Sequence, residues 1–215
     1  MPRGIFITLE GGEGVGKTTQ RKLLEERLPG LVPEYTFVFT REPGGTPFAD
    51  KIRALILSDE AKDADGKTMF GLFAAARAEH LRHIVIPALR EGKVVVSDRF
   101  ATATFAYQAY AMDNPISEEF FGEYYGELDE VPSLTIILDL DPVVAQERVA
   151  TRSTQDATHF DTRPEAFHQR LREGYQRFAK EYDGSGHSVV LIDASEPPEV
   201  VHEKIRACIA ERIFR

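Results

Sequence analysis

Gly11, Gly16, Lys17 and Thr18 stand at the spacing Gly-x-x-x-x-Gly-Lys-Thr, inside LEGGEGVGKTTQ (residues 9–20). Glycines at such positions admit positive φ, so successive backbone N–H groups can converge on an anion. A helix opening at Lys17 adds roughly half a positive charge at the same point. In this pattern the lysine reaches the outer phosphates of a nucleoside triphosphate, and the threonine hydroxyl ligates Mg2+. The candidate triphosphate-binding set is Gly11, Gly12, Glu13, Gly14, Val15, Gly16, Lys17, Thr18 and Thr19. Asp98 ends the apolar run KVVVSD (93–98). The carboxyl end of a strand is where open α/β sheets hold ligands, so Asp98 joins Thr18 as a candidate for the Mg2+ shell.

Three arginines stand where a second anion would sit. Arg41 follows TFVFT (36–40) and precedes the turn EPGG, Arg53 falls in the next helical stretch, and Arg99 follows Asp98. A guanidinium grips phosphate as a fork and keeps its charge. Each of these arginines alone also fits a solvated surface position. Phe73 and Arg77 are four apart on a helical face, a pairing that can stack on a base and donate to its carbonyl. The same pair also describes the rim of an ordinary core. Thr104, Tyr107 and Gln108 stand at i, i+3 and i+4, where they can read a base and crowd a sugar, or fill a helix interface.

The elements that must position these groups alternate. Short runs rich in Val, Ile, Phe and Thr at 4–10, 36–40, 93–98, 134–140 and 188–193 read as strands. Helical patterns lie near 17–28, 46–57, 67–90, 102–110, 116–128, 142–152, 164–181 and 197–213. That order predicts an α/β protein with a five-stranded parallel sheet flanked by helices on both faces. The polar stretch 153–164 predicts a mobile loop.

Composition sets the outer bounds. The 215 residues carry a formal charge of −9, which argues against nucleic acid or an anionic membrane as partner. One cysteine excludes an intramolecular disulfide and a cysteine-rich metal site. The N-terminal stretch has no long apolar segment, and no 18-residue apolar run follows, so the expected compartment is the cytoplasm. No Asn-Lys-x-Asp motif is present to read guanine, and DADG (63–66) follows no strand. These exclusions leave small kinases that pass a phosphoryl group from ATP to a small acceptor.

Five blocks then occur in one order: LEGGEGVGKTTQ, TREPGGT, FAAARAEH, SDRFATATFAYQ and FHQRLREGY. On these blocks, across about residues 4–193, the chain resembles thymidylate kinases, a family with the P-loop nucleoside monophosphate kinase fold. The resemblance implies transfer of the γ-phosphoryl of ATP to dTMP in dTTP synthesis, with Mg2+, by a homodimer. It implies one kinase domain over 1–215 with a short lid at about 148–163. It places Glu10 near the deoxyribose 3′-OH and Phe73 on thymine. Arg77 then faces the 4-carbonyl, Thr104 the pyrimidine edge and Tyr107 the sugar 2′ position, with Gln108 beside them. Arg53 and Arg99 become acceptor-phosphate arginines, with Arg41 in the same wall. Lys17, Arg99 and a lid arginine become catalytic. The chain departs from its relatives at Phe100, at Ala103, and at Glu13, Gly14 and Val15, where no basic residue stands in the loop. The lid reads Thr158-His159 where Asp-Arg is expected, and among Arg148, Arg152 and Arg163 the choice falls on Arg152. The rival readings are a kinase for another nucleotide or a deoxynucleoside, and an ATP-binding module without turnover.

Overall fold

The computed structural model describes residues 3–151, 158–184 and 187–213. Arg152 lies outside them. The first half runs β1 (Ile5–Glu10), α1 (Lys17–Leu31), β2 (Phe37–Arg41), α2 (Pro47–Ile56), α3 (Gly66–His80), α4 (Ile86–Arg90), β3 (Val94–Asp98) and α5 (Ala101–Thr104). The second half runs α6 (Glu118–Gly126), β4 (Leu134–Asp139), α7 (Pro142–Ala150), α8 (Glu165–Tyr182), β5 (Ser188–Asp193) and α9 (Pro198–Ile213). The sheet order is β2-β3-β1-β4-β5, and every pair is parallel.

Both faces of the sheet are covered, which is why its strands are apolar without a break. On one face Ile7, Leu9, Val94, Val96 and Ile136 pack with residues of α1 and α9. On the other Phe6, Val95 and Ile137 pack with residues of α3, α5 and α8. The alternation along β1 places Phe6, Thr8 and Glu10 on the second face, and all three are closed to solvent. Among the described residues no helix is long and apolar enough to cross a membrane.

Three local departures from the sequence expectation have physical causes. The pattern at 67–90 is not one regular helix, because a π-helical segment, Leu81–Val85, separates α3 from α4. It ends two residues before Pro87, whose missing N–H breaks the regular ladder. A second π segment, Phe105–Ala111, continues α5. Its wider winding moves i+3 away from the face that i and i+4 share. Finally, residues 158–163 of the expected mobile loop are anchored. Thr158 donates from N and Oγ1 to Asp161 Oδ2 at 2.6 and 2.8 Å, and Phe160 is buried against the Tyr107 ring.

Candidate active site

The loop from Gly11 to Gly16 connects β1 to α1 and takes positive φ at Gly11, Gly14 and Gly16. Gly14 also meets a space constraint: a Cβ there would lie 2.2 Å from the carbonyl oxygen of Ala145 in α7. Lys17 Nζ folds back over the loop and donates to Gly11 O at 2.8 Å and Gly12 O at 2.5 Å. Burial, then Arg99, pull its pKa down to about 8 against the opposing pull of Asp98, Glu13 and Glu10. This ammonium is held by weak dipoles where a phosphate would hold it by charge.

A cavity of about 210 Å³ opens at the carboxyl edge of the sheet beside Lys17 and Thr18. Asp98, at the end of β3, lines it, and among the described residues its carboxylate makes no hydrogen bond. Arg41, Arg53 and Arg99 line the same cavity. Burial, and then the cations Arg41 and Arg99, lower the Arg53 pKa, as expected of clustered guanidiniums. Arg99 has φ 72, left-handed and rare for a side chain of this size. Two hydrogen bonds pin it there, from Arg99 N to Leu9 O at 2.9 Å and from Ser97 Oγ to Arg99 O at 2.8 Å. Phe73, Tyr107 and Gln108 form the apolar and aromatic wall.

Three of the residues singled out from sequence stand behind the cavity. Glu10 is fully enclosed: Oε1 accepts from Phe100 N at 2.7 Å and Oε2 has no partner. Burial above all raises its pKa to about 8, so the carboxyl is largely protonated at neutral pH. Glu13, by contrast, lines the cavity, as do Glu42, Asp98 and Asp161. Period-two alternation already groups Glu10 with Phe6 and Thr8, and that was the available signal. Arg77 is 1% exposed and donates to Glu42 Oε2 at 2.9 Å, Tyr124 OH at 3.0 Å and Thr104 Oγ1 at 2.8 Å. Thr104 is thus turned toward Arg77.

The lid residues are dispersed. Arg148 donates to Ala194 O at 3.0 Å and Ser195 O at 3.3 Å. With Thr19, Gln20, Ser195 and Pro197 it lines a groove on the other side of the glycine loop, which sequence reasoning did not find. Its parts come from α1, α7 and the turn after β5, so no local pattern marks it. Arg163 donates to Lys62 O at 2.8 Å and lies over the Phe167 ring. His159, at the position where an arginine was expected, donates from Nε2 to Ile56 O at 2.9 Å and braces the lid base against α2.

Comparison with known proteins meets this geometry. The family model for thymidylate kinase matches residues 9–205. The chain is similar to the thymidylate kinase of Geobacillus thermodenitrificans, at 37% identity over 98% of this chain and 91% of that one. It is similar to the thymidylate kinase of Clostridium novyi at 37% identity over 96% and 98%. Among solved structures, thymidylate kinase from Ehrlichia chaffeensis superposes with a TM-score of 0.76 at 29% identity, over 97% of this chain and all of that one. The glycine loop, the arginine-lined cavity and these likenesses together establish that the chain belongs to the thymidylate kinase family.

Proposed function

We propose that the cavity takes dTMP against Phe73 and the arginines, and that the glycine loop takes ATP. The chemistry is that of the family: the γ-phosphoryl of ATP passes to dTMP, giving dTDP and ADP for dTTP synthesis. One observation carries the assignment of roles. Lys17, Thr18 and Asp98 share a single cavity with Arg41, Arg53 and Arg99, so donor and acceptor phosphates meet in one space.

Tyr107 and Gln108 flank Phe73 at the base end, and Arg41, Arg53 and Arg99 neutralise the 5′-phosphate. Its oxygen attacks the γ-phosphorus in line. The transition state is loose, so positioning and charge matter more than a strong base. Lys17 exchanges its loop carbonyls for phosphate oxygens. Arg77, with two of its five N–H groups uncommitted, reaches the base from behind together with Thr104 once the acceptor settles. Glu10 then supports the floor through Phe100, and Glu13 takes the acidic position nearest the acceptor. Residues 148–163 act as the lid of one kinase domain over 1–215. Arg148 and Arg163 are engaged elsewhere, which leaves Arg152 as the lid candidate for the transferred group. The groove lined by Arg148 and Ser195 takes the adenine.

The donor set suits Mg2+. Thr18 Oγ1 and the Asp98 carboxylate are hard oxygen ligands, and this ion is held by one or two carboxylates plus substrate phosphates. No group of three or more acidic, His or Cys side chains that could hold a metal by themselves occurs among the described residues. When bound, Mg2+ would neutralise charge on the donor's phosphate oxygens.

Phe48 and Leu55 of α2 and Phe120 of α6 are 59%, 50% and 46% exposed. Phe70 of α3 meets Phe120 edge-on at 5.3 Å. We read it as the homodimer face.

An acceptor panel tests the function. With ADP release as the readout, dTMP should exceed dUMP, UMP, CMP, AMP, GMP and thymidine. A preference for another acceptor would overturn the dTMP assignment, and ATP binding without acceptor-dependent ADP release would overturn catalysis.

A further inference from the structure

Arg53 and Arg99 line one cavity from two different elements. Arg99, just after β3, is held on several sides. Its guanidinium donates to Gly11 O at 3.2 Å, Tyr175 OH at 3.1 Å and Glu13 Oε1 at 3.0 Å. Arg53, on α2, donates to Pro43 O at 2.9 Å, in the turn that leads into its own helix. The spacing of the two guanidiniums therefore depends on where α2 lies across the cleft. Arg41 stands in the same cavity, and like charges repel, so the cluster itself pushes α2 outward.

A bond from the far side opposes that push. α2 ends at Ile56, and the last carbonyls of a helix find no partner within it. His159 Nε2 supplies one at 2.9 Å from Ile56 O, across 103 positions of sequence. A carbonyl oxygen only accepts, so Nε2 carries the proton. His159 is a cap for α2 that comes from another segment.

The segment bearing His159 is in turn fixed to the wall that holds Arg99. The His159 ring lies 4.2 Å from that of Phe160, and Phe160 meets Tyr107 edge-on at 5.6 Å. The Arg99 guanidinium lies over the Tyr107 ring at 5.1 Å. The bonds from Thr158 to Asp161 and from Arg163 to Lys62 O hold this segment without help from His159. Removing the histidine donor therefore frees the end of α2 and leaves the segment in place.

We propose that His159 sets the spacing of Arg53 and Arg99 by capping α2 from across the cleft. This rests on the reading of both arginines as acceptor-phosphate cations. A phosphate gripped by two forks is sensitive to their separation, because hydrogen bonds weaken steeply off-line. His159 touches no substrate and acts as a positioning residue. Where an arginine would add charge to the site, this chain has a neutral donor that keeps two other arginines in register.

The test is a double-mutant cycle in steady-state kinetics, with dTMP varied at saturating ATP. His159→Phe keeps a ring against Phe160 and removes the donor. It should raise the KM for dTMP about fivefold, the worth of one neutral hydrogen bond. The kcat and the KM for ATP should stay within about twofold. His159→Gln, whose amide nitrogen falls near the place of Nε2, should restore most of the loss. The inhibition constant of thymidine, which lacks the phosphate, should not respond to His159→Phe. In an Arg53→Ala background His159→Phe should leave the KM for dTMP unchanged, because no spacing remains to be set. A KM and an inhibition constant report only on folded molecules, so a lower yield of folded variant does not imitate this pattern. Equal losses in both backgrounds, equal losses for thymidine and dTMP, or no loss at all would overturn the proposal. Arg53→Ala alone separates the two levels of the argument. Unchanged dTMP binding there would remove the reading of Arg53 itself, whereas a large loss with a failed cycle would remove only the role of His159.

Discussion

Arg77 donates from Nε to Glu42 Oε2 at 2.9 Å, with the two side chains 1% and 3% exposed. His80 Nδ1 lies 2.9 Å from the other oxygen of Glu42, and His80 Nε2 lies 2.8 Å from Thr40 Oγ1. The network joins the end of β2 and the turn after it to α3, and Glu42 itself lines the cavity. Removing one member of a buried ion pair leaves the other charged and unpaired, at a cost of about 3–5 kcal/mol. Glu42→Ala should lose stability of that order in urea unfolding, and its KM for dTMP should rise. Glu42→Gln keeps the shape and one acceptor, so it should lose less. Equal stability of Glu42→Ala and the unaltered chain would show that the pair does not hold the wall.

Lys17 should carry most of the charge stabilisation on the donor side. Lys17→Ala should lower kcat by at least about a hundredfold, the scale seen for a single transition-state donor. Circular dichroism should show an intact fold, because the ammonium bonds only to loop carbonyls. Its pKa of about 8 adds a pH signature. Below that value the free lysine is charged. Above it, ATP binding must take up a proton, so affinity should fall as pH rises past about 8. Calorimetry at pH 9 in buffers of different ionisation enthalpy should detect that uptake, and its absence would place the charged lysine elsewhere.

Sequence made the elements legible, but not the side-chain directions at their ends. The loop 11–18 and the five strands are strong local signals, because glycine spacing and unbroken apolar runs depend on few neighbours. Asp98, Arg99 and Phe73 line the cavity. Arg77 and Thr104 are turned into a buried network with Glu42, whose position no short-range pattern announces. Glu10 and Glu13 illustrate the same limit. Both are acidic and three apart, yet one closes the core and the other lines the cleft, because a strand ends between them. His159 was visible as a departure, but its bond to Ile56 O needs two segments about a hundred residues apart to meet.

The exposed stripe on α2 should decide the oligomeric state. Phe48 and Leu55 lie seven apart on one helical face with Ile52 between them, and Phe120 of α6 is exposed too. An apolar patch of this kind marks an interaction surface. The unaltered chain should run at twice the chain mass in light scattering. A Phe48→Glu, Leu55→Glu variant should run at the chain mass, since burying two carboxylates across a symmetric contact is costly. A dimer that survives both substitutions would place the interface on another face.

Glu10 should make stability fall with pH over a defined window. Its ordinary pKa of 4.5 is raised to about 8, with burial as the largest cause. Between those values the folded chain keeps a proton that the unfolded chain has lost. Stability from this group is therefore fully present below about pH 4.5 and is lost as pH rises toward 8. Glu10→Gln removes the titration while retaining an acceptor for Phe100 N. The variant also buries an amide nitrogen where Oε2 lacks a partner, a cost that is the same at every pH, so the change with pH is the measure. From pH 5 to pH 8 the stability of Glu10→Gln relative to the unaltered chain should increase, by on the order of a few kcal/mol. Urea unfolding without nucleotide at the two pH values measures it. A relative stability that stays constant across the window would mean that Glu10 is ionised in the folded chain, with Lys17 and Arg99 outweighing its burial.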